Sequence, residues 1–171
     1  MMPNAEWDAV FAAPGFALGL RVTDTVVSRI EFLPPQPARA PRTGLAAEAV
    51  SQLAAYLHDP SFVFDLPMAA PASTHGGKVR AAMMAIPPGS VLTYGEVARS
   101  IGSSPRAVGG ACGANTLPIV VPCHRIVAAG GALGGFAHST SGFLPGVKRW
   151  LLAHECAGRD FRLTANDSVR S

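Results

Sequence analysis

Charged side chains are scarce in this chain, making up 15% of its 171 residues. With 49% of residues hydrophobic, that balance excludes wholesale disorder and leaves ample material for a core. The length allows one ordinary domain, or a small domain beside a larger one. Cysteine is scarcer still. Cys112, Cys123 and Cys156 are an odd number and make no disulfide framework, so a reducing compartment is expected. No apolar run is long enough to span a bilayer, and no basic stretch followed by an apolar run opens the chain. A soluble, cytoplasmic protein is the expectation. The chain also lacks a glycine-rich strand-to-helix fingerprint, a Cys/His spacing suited to zinc, and any internal repeat. Neither a cofactor nor a metal is therefore expected. The net charge of +3 and a pI of about 9.1 are compatible with a nucleic-acid partner, although many soluble proteins share them.

What is present falls into two parts. Phe16–Val22 and Val26–Leu33 are short apolar runs around Thr23-Asp24-Thr25 and predict a β-hairpin. A proline-rich stretch with Arg39 and Arg42 follows and reads as a surface loop. Ala46, Ala49, Val50, Leu53 and Leu57 share one helical face over 45–57, and Phe62-Val63-Phe64 predicts a further strand. A Pro/Ala-rich stretch from Met68 to Ser73 marks the boundary. The expected organisation is a small α/β domain over 1–70, a second domain over 74–158 and a tail over 159–171.

In the second part Val79, Met83 and Ile86 have helical spacing, ended by Pro87-Pro88-Gly89. Val91 to Tyr94 leads into a helix over 95–101, with Val97, Ala98 and Ile101 as its buried face. Gly102-Ser103-Ser104-Pro105 then opens a helix over 106–113. A short helix, a tight glycine turn and a second short helix is helix-turn-helix grammar. A last helix is expected over 147–154, with Val147, Leu151 and His154 on one stripe and Lys148, Leu152 and Glu155 beside it. Cys112 and Cys156 read as packing residues, and His58, His75 and His138 as surface or loop residues.

The chemistry concentrates between Ile119 and Val127. Ile119 to Val121 and Ile126-Val127 read as buried strand. Pro122 removes a ladder donor and fixes φ, so the chain must leave regular pairing there. The next three side chains are a soft nucleophile, a base that titrates near neutrality and a permanent cation. A free thiol, with a pKa of about 8.5, is mostly protonated at neutral pH. His124 and Arg125 supply a base and a cation to shift it. Adjacent residues in a strand point apart, so His124 serves Cys123 only if a turn follows Pro122. The helix from Arg106 to Gly113 is unusual in another way, since five of its eight residues are Gly or Ala. Either it packs tightly against a neighbour, or it is kept thin for a nucleic-acid backbone, with Arg106 as the long side chain at its N-terminal end.

Taken together these residues resemble the O6-alkylguanine-DNA alkyltransferases, the methylated-DNA–protein-cysteine methyltransferases. The matching text is Ile86-Pro87-Pro88-Gly89, Thr93 to Ala98, Arg106 to Ala111, Asn115, Pro118 and Ile119 to Val127. It continues with Gly134-Gly135-Phe136 and ends with Lys148 to Glu155. The resemblance implies a ribonuclease H-like N-terminal α/β domain and a mostly helical, winged-helix-like C-terminal domain with a helix-turn-helix. It implies DNA repair by irreversible, single-use transfer of an alkyl group from O6-alkylguanine in duplex DNA to Cys123, after base flipping. The partner would be alkylated double-stranded DNA and the protein a monomer, with no cofactor or metal.

Residue by residue, Cys123 resembles the alkyl acceptor, with His124 acting through a water and Glu155 behind it as the proton relay. Asn115 resembles the hinge asparagine at the active-site turn. Arg106 resembles the finger that fills the gap left by a flipped nucleotide. Ala107, Gly109, Gly110 and Arg125 fall among the implied DNA contacts. Tyr94 resembles the hydroxyl that meets the purine and turns the phosphate, and it lines the implied pocket with Val121, Phe136 and Ala137.

The match has departures. His75-Gly76-Gly77-Lys78-Val79-Arg80 stands where the family has an aromatic, a Gln and Val-Trp, so Arg80 replaces a large packing element. The stretch from Ala137 to Gly146 is longer than usual, and Ala114 and Thr116 flank Asn115 in place of commoner residues. The alternative reading is a relative that binds alkylated DNA without repairing it. Such relatives replace the cysteine, and Cys123 is present.

Overall fold

The computed structural model describes residues 7–131, 143–156 and 162–163. Its backbone divides into two compact units. One is Met1–Ala69 with Thr116–Val120; the other is Ala70–Asn115 with Val121–Ser171. The five residues from Thr116 to Val120 thus lie with the first unit, although in sequence they fall inside the second expected domain. Their tie is a backbone bond, Ile30 N–H donating to the Thr116 carbonyl at 2.8 Å.

The first unit is an antiparallel sheet in the order β1-β2-β3, with β1 at Ala9–Ala13, β2 at Phe16–Val22 and β3 at Val27–Leu33. The expected hairpin is β2–β3, closed by the Thr23 hydroxyl, which accepts from the amides of Thr25 and Val26. β1 was not expected, because Val10 and Phe11 stand side by side among three alanines and show no alternation. It pairs along its full length with β2. Trp7 is buried before it, and a Cβ on Gly19 would lie 2.5 Å from the indole, so only glycine admits the ring there. Helix α1 (Gly44–His58) starts at Thr43, whose hydroxyl accepts from Ala46 N–H, and buries Ala46, Ala49, Leu53 and Tyr56.

Phe62 to Phe64 is not a strand. Its rings pack on one another and on Tyr56, Val63 points outward, and the Gln52 amide exchanges both hydrogen bonds with the Asp65 backbone. A side chain thereby satisfies the backbone that a ladder would otherwise satisfy. Ile119 to Val121 departs from strand in a similar way. The residues are buried, but Ile119 adopts φ 75°, a rare conformation for a β-branched side chain, and the chain turns instead of extending.

The second unit is mainly helical. Helix α2 spans Thr74–Met84 and buries Val79 and Met83. Strand β4 (Ser90–Thr93) lies between β5 (Ile126–Val127) and β6 (Arg162–Leu163) in a small parallel sheet. Helix α3 (Tyr94–Ile101) begins with a reciprocal capping box between Thr93 and Glu96 and ends at Gly102, which takes φ 68°. Ser104 then caps α4 (Pro105–Gly113), with Pro105 in its first turn. Ala98 is buried where the two helices meet. Helix α5 (Phe143–Glu155) begins one turn before the expected start; Val147, Leu151 and Leu152 are buried on it. His75 is not a loop residue. It sits in the first turn of α2, and its Nε2 is 2.8 Å from the Ser103 hydroxyl in the turn between α3 and α4. Among the described residues no helix is long and apolar enough to cross a membrane.

Candidate active site

Pro122 bends the chain with φ −82° and ψ 68°, and the Cys123 amide donates to the Val121 carbonyl at 2.8 Å. That pairing across one residue is an inverse γ-turn. The next three residues, Cys123–Arg125, form one 3-10 turn, closed by Ile126 N–H donating to the Cys123 carbonyl. The turn that the sequence required after Pro122 is therefore in place. It removes the strand alternation and carries Cys123, His124 and Arg125 inward, all three buried.

Two side chains hold this turn. Asn115, just past the end of α4, donates from Nδ2 to the Val121 carbonyl at 2.9 Å and also hydrogen-bonds the Cys123 thiol. Glu155, in the last turn of α5, holds the other side. Its Oε2 is 2.7 Å from His124 Nε2 and its Oε1 accepts from Arg125 Nε at 2.9 Å. Arg125 closes the chain with a second bond to Glu155 at 2.9 Å and one to the Ile86 carbonyl at 2.7 Å. A carboxylate at the end of a helix faces an unfavourable dipole, and two buried cationic or donor partners offset it.

Arg125 corrects an expectation. Placed among the DNA contacts from sequence, it is turned inward, and its guanidinium is committed to Glu155 and Ile86. The planar, five-donor fork suits this two-sided carboxylate clamp, which a phosphate outside would have to break.

The electrostatics follow from burial and partners. Burial would raise the Glu155 carboxyl, but the hydrogen bonds from His124 and Arg125 and the Arg125 charge outweigh it and hold the group well below the carboxylate range. Burial is the main effect on His124, lowering its pKa against the pull of Glu155. The consistent state is a neutral imidazole whose Nε2–H points at a carboxylate, which leaves the lone pair on Nδ1. Nδ1 is buried and has no hydrogen-bond partner among the described residues. Burial likewise raises the Cys123 thiol, opposed by the Asn115 hydrogen bond, the Lys148 charge and the residue's own amide. Tyr94 is pushed up to about 12, chiefly by burial and then by the charges of Cys112 and Cys123, so its hydroxyl keeps its proton.

On α4, Arg106, Ala107 and Gly110 are exposed, while Val108 and Cys112 are buried. Gly109 lies against Tyr94, where a Cβ would make ordinary contact at 3.9 Å, and a Cβ on Gly110 would meet nothing within 4 Å among the described residues. Packing against the described residues therefore does not demand glycine at 110. Val121 lies at the turn; Phe136 and Ala137, the other implied pocket residues, fall outside the described residues, as does His138. Cys112 and Cys156 are both buried and neither is in a disulfide among the described residues. Among the described residues no cluster of His, Cys, Asp or Glu could hold a metal ion.

Sequence reading missed Lys148 as a site residue. Its side chain is fully buried, and Nζ donates to the Ile126 carbonyl at 2.8 Å. The signal was present: Lys148 shares its stripe of α5 with Glu155, a residue already placed in the site.

Fold and site define a mixed α/β protein in which two short helices joined by a tight turn are followed by a buried thiol, with a His–Glu–Arg chain beside it. Residues 76–157 match the family model described as 6-O-methylguanine DNA methyltransferase, DNA binding domain. The chain is 34% identical over 115 residues to the regulatory protein ada of Salmonella typhimurium, covering 66% of this chain and 33% of that protein. It is 41% identical over 110 residues to a methylated-DNA–protein-cysteine methyltransferase of Methanosarcina acetivorans, covering 63% of this chain and 67% of the relative. The fold superimposes on the crystal structure of Mycobacterium tuberculosis OGT in complex with DNA with a TM-score of 0.73 and 32% identity. That match covers 88% of this chain and 93% of the other. The chain belongs to the methylated-DNA–protein-cysteine methyltransferase family.

Proposed function

We propose that this protein repairs duplex DNA by moving the alkyl group of O6-alkylguanine onto Cys123, once per molecule. The observation that carries the reading is the hydrogen-bonded order Arg125–Glu155–His124 next to a buried thiol, with the His124 Nδ1 lone pair available. In this reading α4 enters a groove with its exposed face of Arg106, Ala107 and Gly110, which lets the DNA backbone come close, while Gly109 keeps Tyr94 against the helix. The target nucleotide leaves the stack, at a cost of a few kcal/mol that is smaller for a damaged pair, and Arg106 fills the gap. DNA reaches the protein through its second unit, a winged-helix-like domain, and the ribonuclease H-like first unit is structural. The protein acts as a monomer.

The chemical step balances without a further reactant. The Cys123 proton passes through a water to His124 Nδ1, and Glu155 stabilises the imidazolium as it forms. The sulfur attacks the alkyl carbon, a carbon–sulfur bond forms and the bond from that carbon to O6 breaks. The electron pair stays on guanine, which takes a proton from the Tyr94 hydroxyl. The proton released by the thiol makes good that loss, so the products are a thioether and an unmodified guanine. Because water does not cleave a thioether at useful rates, no second turnover follows.

Transfer from an excess of methylated duplex is therefore expected to plateau at one methyl group per protein molecule. Counting labelled methyl groups on the protein checks this. A plateau that climbs with added DNA would contradict a single-use acceptor.

A further inference from the structure

Helix α4 is thin, and thinness leaves little to hold it in place. Of its nine residues Val108 and Cys112 are the buried ones, while Ala107, Gly109, Gly110, Ala111 and Gly113 offer neighbours almost no side chain. Interior glycines also lower its intrinsic helicity. Its direction must therefore be set largely from its ends. At the C-terminal end, Asn115 N–H donates to the Cys112 carbonyl at 3.2 Å, and the Asn115 side chain is tied to the Val121 carbonyl. At the N-terminal end the chain turns through Gly102, Ser103 and Ser104. Gly102 takes φ 68°, the Ser103 amide donates to the Ala98 carbonyl at 2.8 Å, and the Ser104 hydroxyl accepts from Ala107 N–H at 3.1 Å.

Those N-terminal bonds are internal to α3, α4 and their turn. Another reaches the turn from a different helix: His75 Nε2 lies 2.8 Å from the Ser103 hydroxyl. His75 shares one stripe of α2 with Val79 and Met83, at i, i+4 and i+8, and both of those are buried. The face that seats α2 thus also aims the imidazole. A hydroxyl both donates and accepts, so the bond forms with either ring tautomer. Both residues are half-buried, where water competes less with such a bond than on an open surface. His75 also opens the stretch in which this sequence departs from the family's usual text, so the resemblance did not supply this tie.

We propose that His75 is a positioning residue for duplex recognition. By holding the Ser103 hydroxyl it fixes where α4 begins, and so the angle at which Arg106 meets the DNA. The inference rests on α4 being the element that enters the groove. His75 acts through Ser103 and touches neither the reacting atoms nor the phosphates.

The test compares His75→Ala, Ser103→Ala and the double variant. Methyl transfer is followed by intact mass from duplex DNA carrying one O6-methylguanine and from free O6-methylguanine. Each single variant should slow transfer from the duplex by about fivefold. That is about 1 kcal/mol at about 1.4 kcal/mol per tenfold, the usual size of one hydrogen bond. The double variant should be no slower than either single one, since both remove the same bond. Transfer from the free base should not change, and duplex binding should keep its salt slope because no phosphate contact is lost. His75→Gln, whose carboxamide reaches about as far as Nε2, should restore the duplex rate. Additive losses with a shallower salt slope would overturn the proposal by showing that His75 contacts DNA directly. Equal slowing on both substrates, or none on either, would also overturn it, and a merely structural histidine would lower the melting temperature without separating them.

Hydrogen exchange without DNA supplies the second measurement. The Ala107 and Val108 amides, both bonded to Ser104, should exchange about fivefold faster in each single variant. Unchanged exchange overturns the proposal. An unsubstituted protein that transfers no methyl group defeats the repair reading instead, and the exchange result still decides the tie. Should His75→Ala fail to fold, Ser103→Ala reads the same bond from its other side.

Discussion

Glu155→Ala is expected to lose both transfer and about 3–5 kcal/mol of stability, the range seen when one partner of a buried ion pair is removed. The deletion leaves the buried Arg125 guanidinium with the Ile86 carbonyl as its remaining hydrogen-bond partner among the described residues, and it strips His124 of the group that fixes its tautomer. Denaturant unfolding reads the first effect, and transfer from methylated duplex reads the second. The same cluster sets a pH dependence in the unsubstituted protein. Glu155 and His124 both have folded pKa values below their unfolded ones, near 4.5 and 6.5. As pH falls, the unfolded chain takes up protons that the folded site refuses, so the folded state loses ground. Stability is thus complete above about pH 6.5, falls as His124 of the unfolded chain protonates, and falls further below about 4.5. A melting temperature that stays flat from pH 7 to pH 4 would contradict this account of the cluster.

Arg106→Ala carries the second large effect, and it separates base flipping from chemistry. Arg106 is exposed at the N-terminal end of α4, whereas the thiol is buried, so its removal should leave stability and thiol reactivity unchanged. If it fills the gap left by the flipped nucleotide, its loss returns part of a flipping cost of a few kcal/mol. Each 1.4 kcal/mol is worth about tenfold in rate, so transfer from duplex DNA should slow by about 100-fold. Transfer from free O6-alkylguanine, which needs no flipping, should not change. Equal slowing on both substrates would show that Arg106 acts on the chemistry, and no slowing on either would remove it from the DNA-binding surface.

The unequal legibility of the two units has physical causes. The hairpin β2–β3 and helix α1 could be read because their apolar periods are strong and their turn and cap chemistry is local. Helices α3 and α4 were equally plain, with Thr93 and Ser104 as caps and Gly102 as the turn. β1 escaped notice because its two bulky residues, Val10 and Phe11, are adjacent and flanked by alanines, which gives no strand period. Phe62 to Phe64 misled because aromatic, β-branched residues mark burial as well as strand, and here Gln52 takes the place of a neighbouring strand.

At the site, Cys123, His124, Glu155 and Asn115 are brought together around one turn. Their proximity was not readable from spacing, since Glu155 is 31 residues from His124 in the chain. Arg125 and Lys148 show the limit more sharply. A basic side chain in a DNA-binding domain reads as a phosphate contact until burial is known, and only the folded turn sends Arg125 to Glu155 and Lys148 to Ile126. The small residues of α4 were ambiguous between packing and approach. At Gly110 no described neighbour demands glycine, so packing does not account for it.

The most direct test of the central claim is the intact mass of the protein after incubation with duplex DNA carrying a single O6-methylguanine, measured beside Cys123→Ala. The account expects a gain of one methylene, mapped to Cys123 and absent from the variant. An unchanged mass in a protein that still binds the duplex would contradict it and leave a damage-binding protein without transfer.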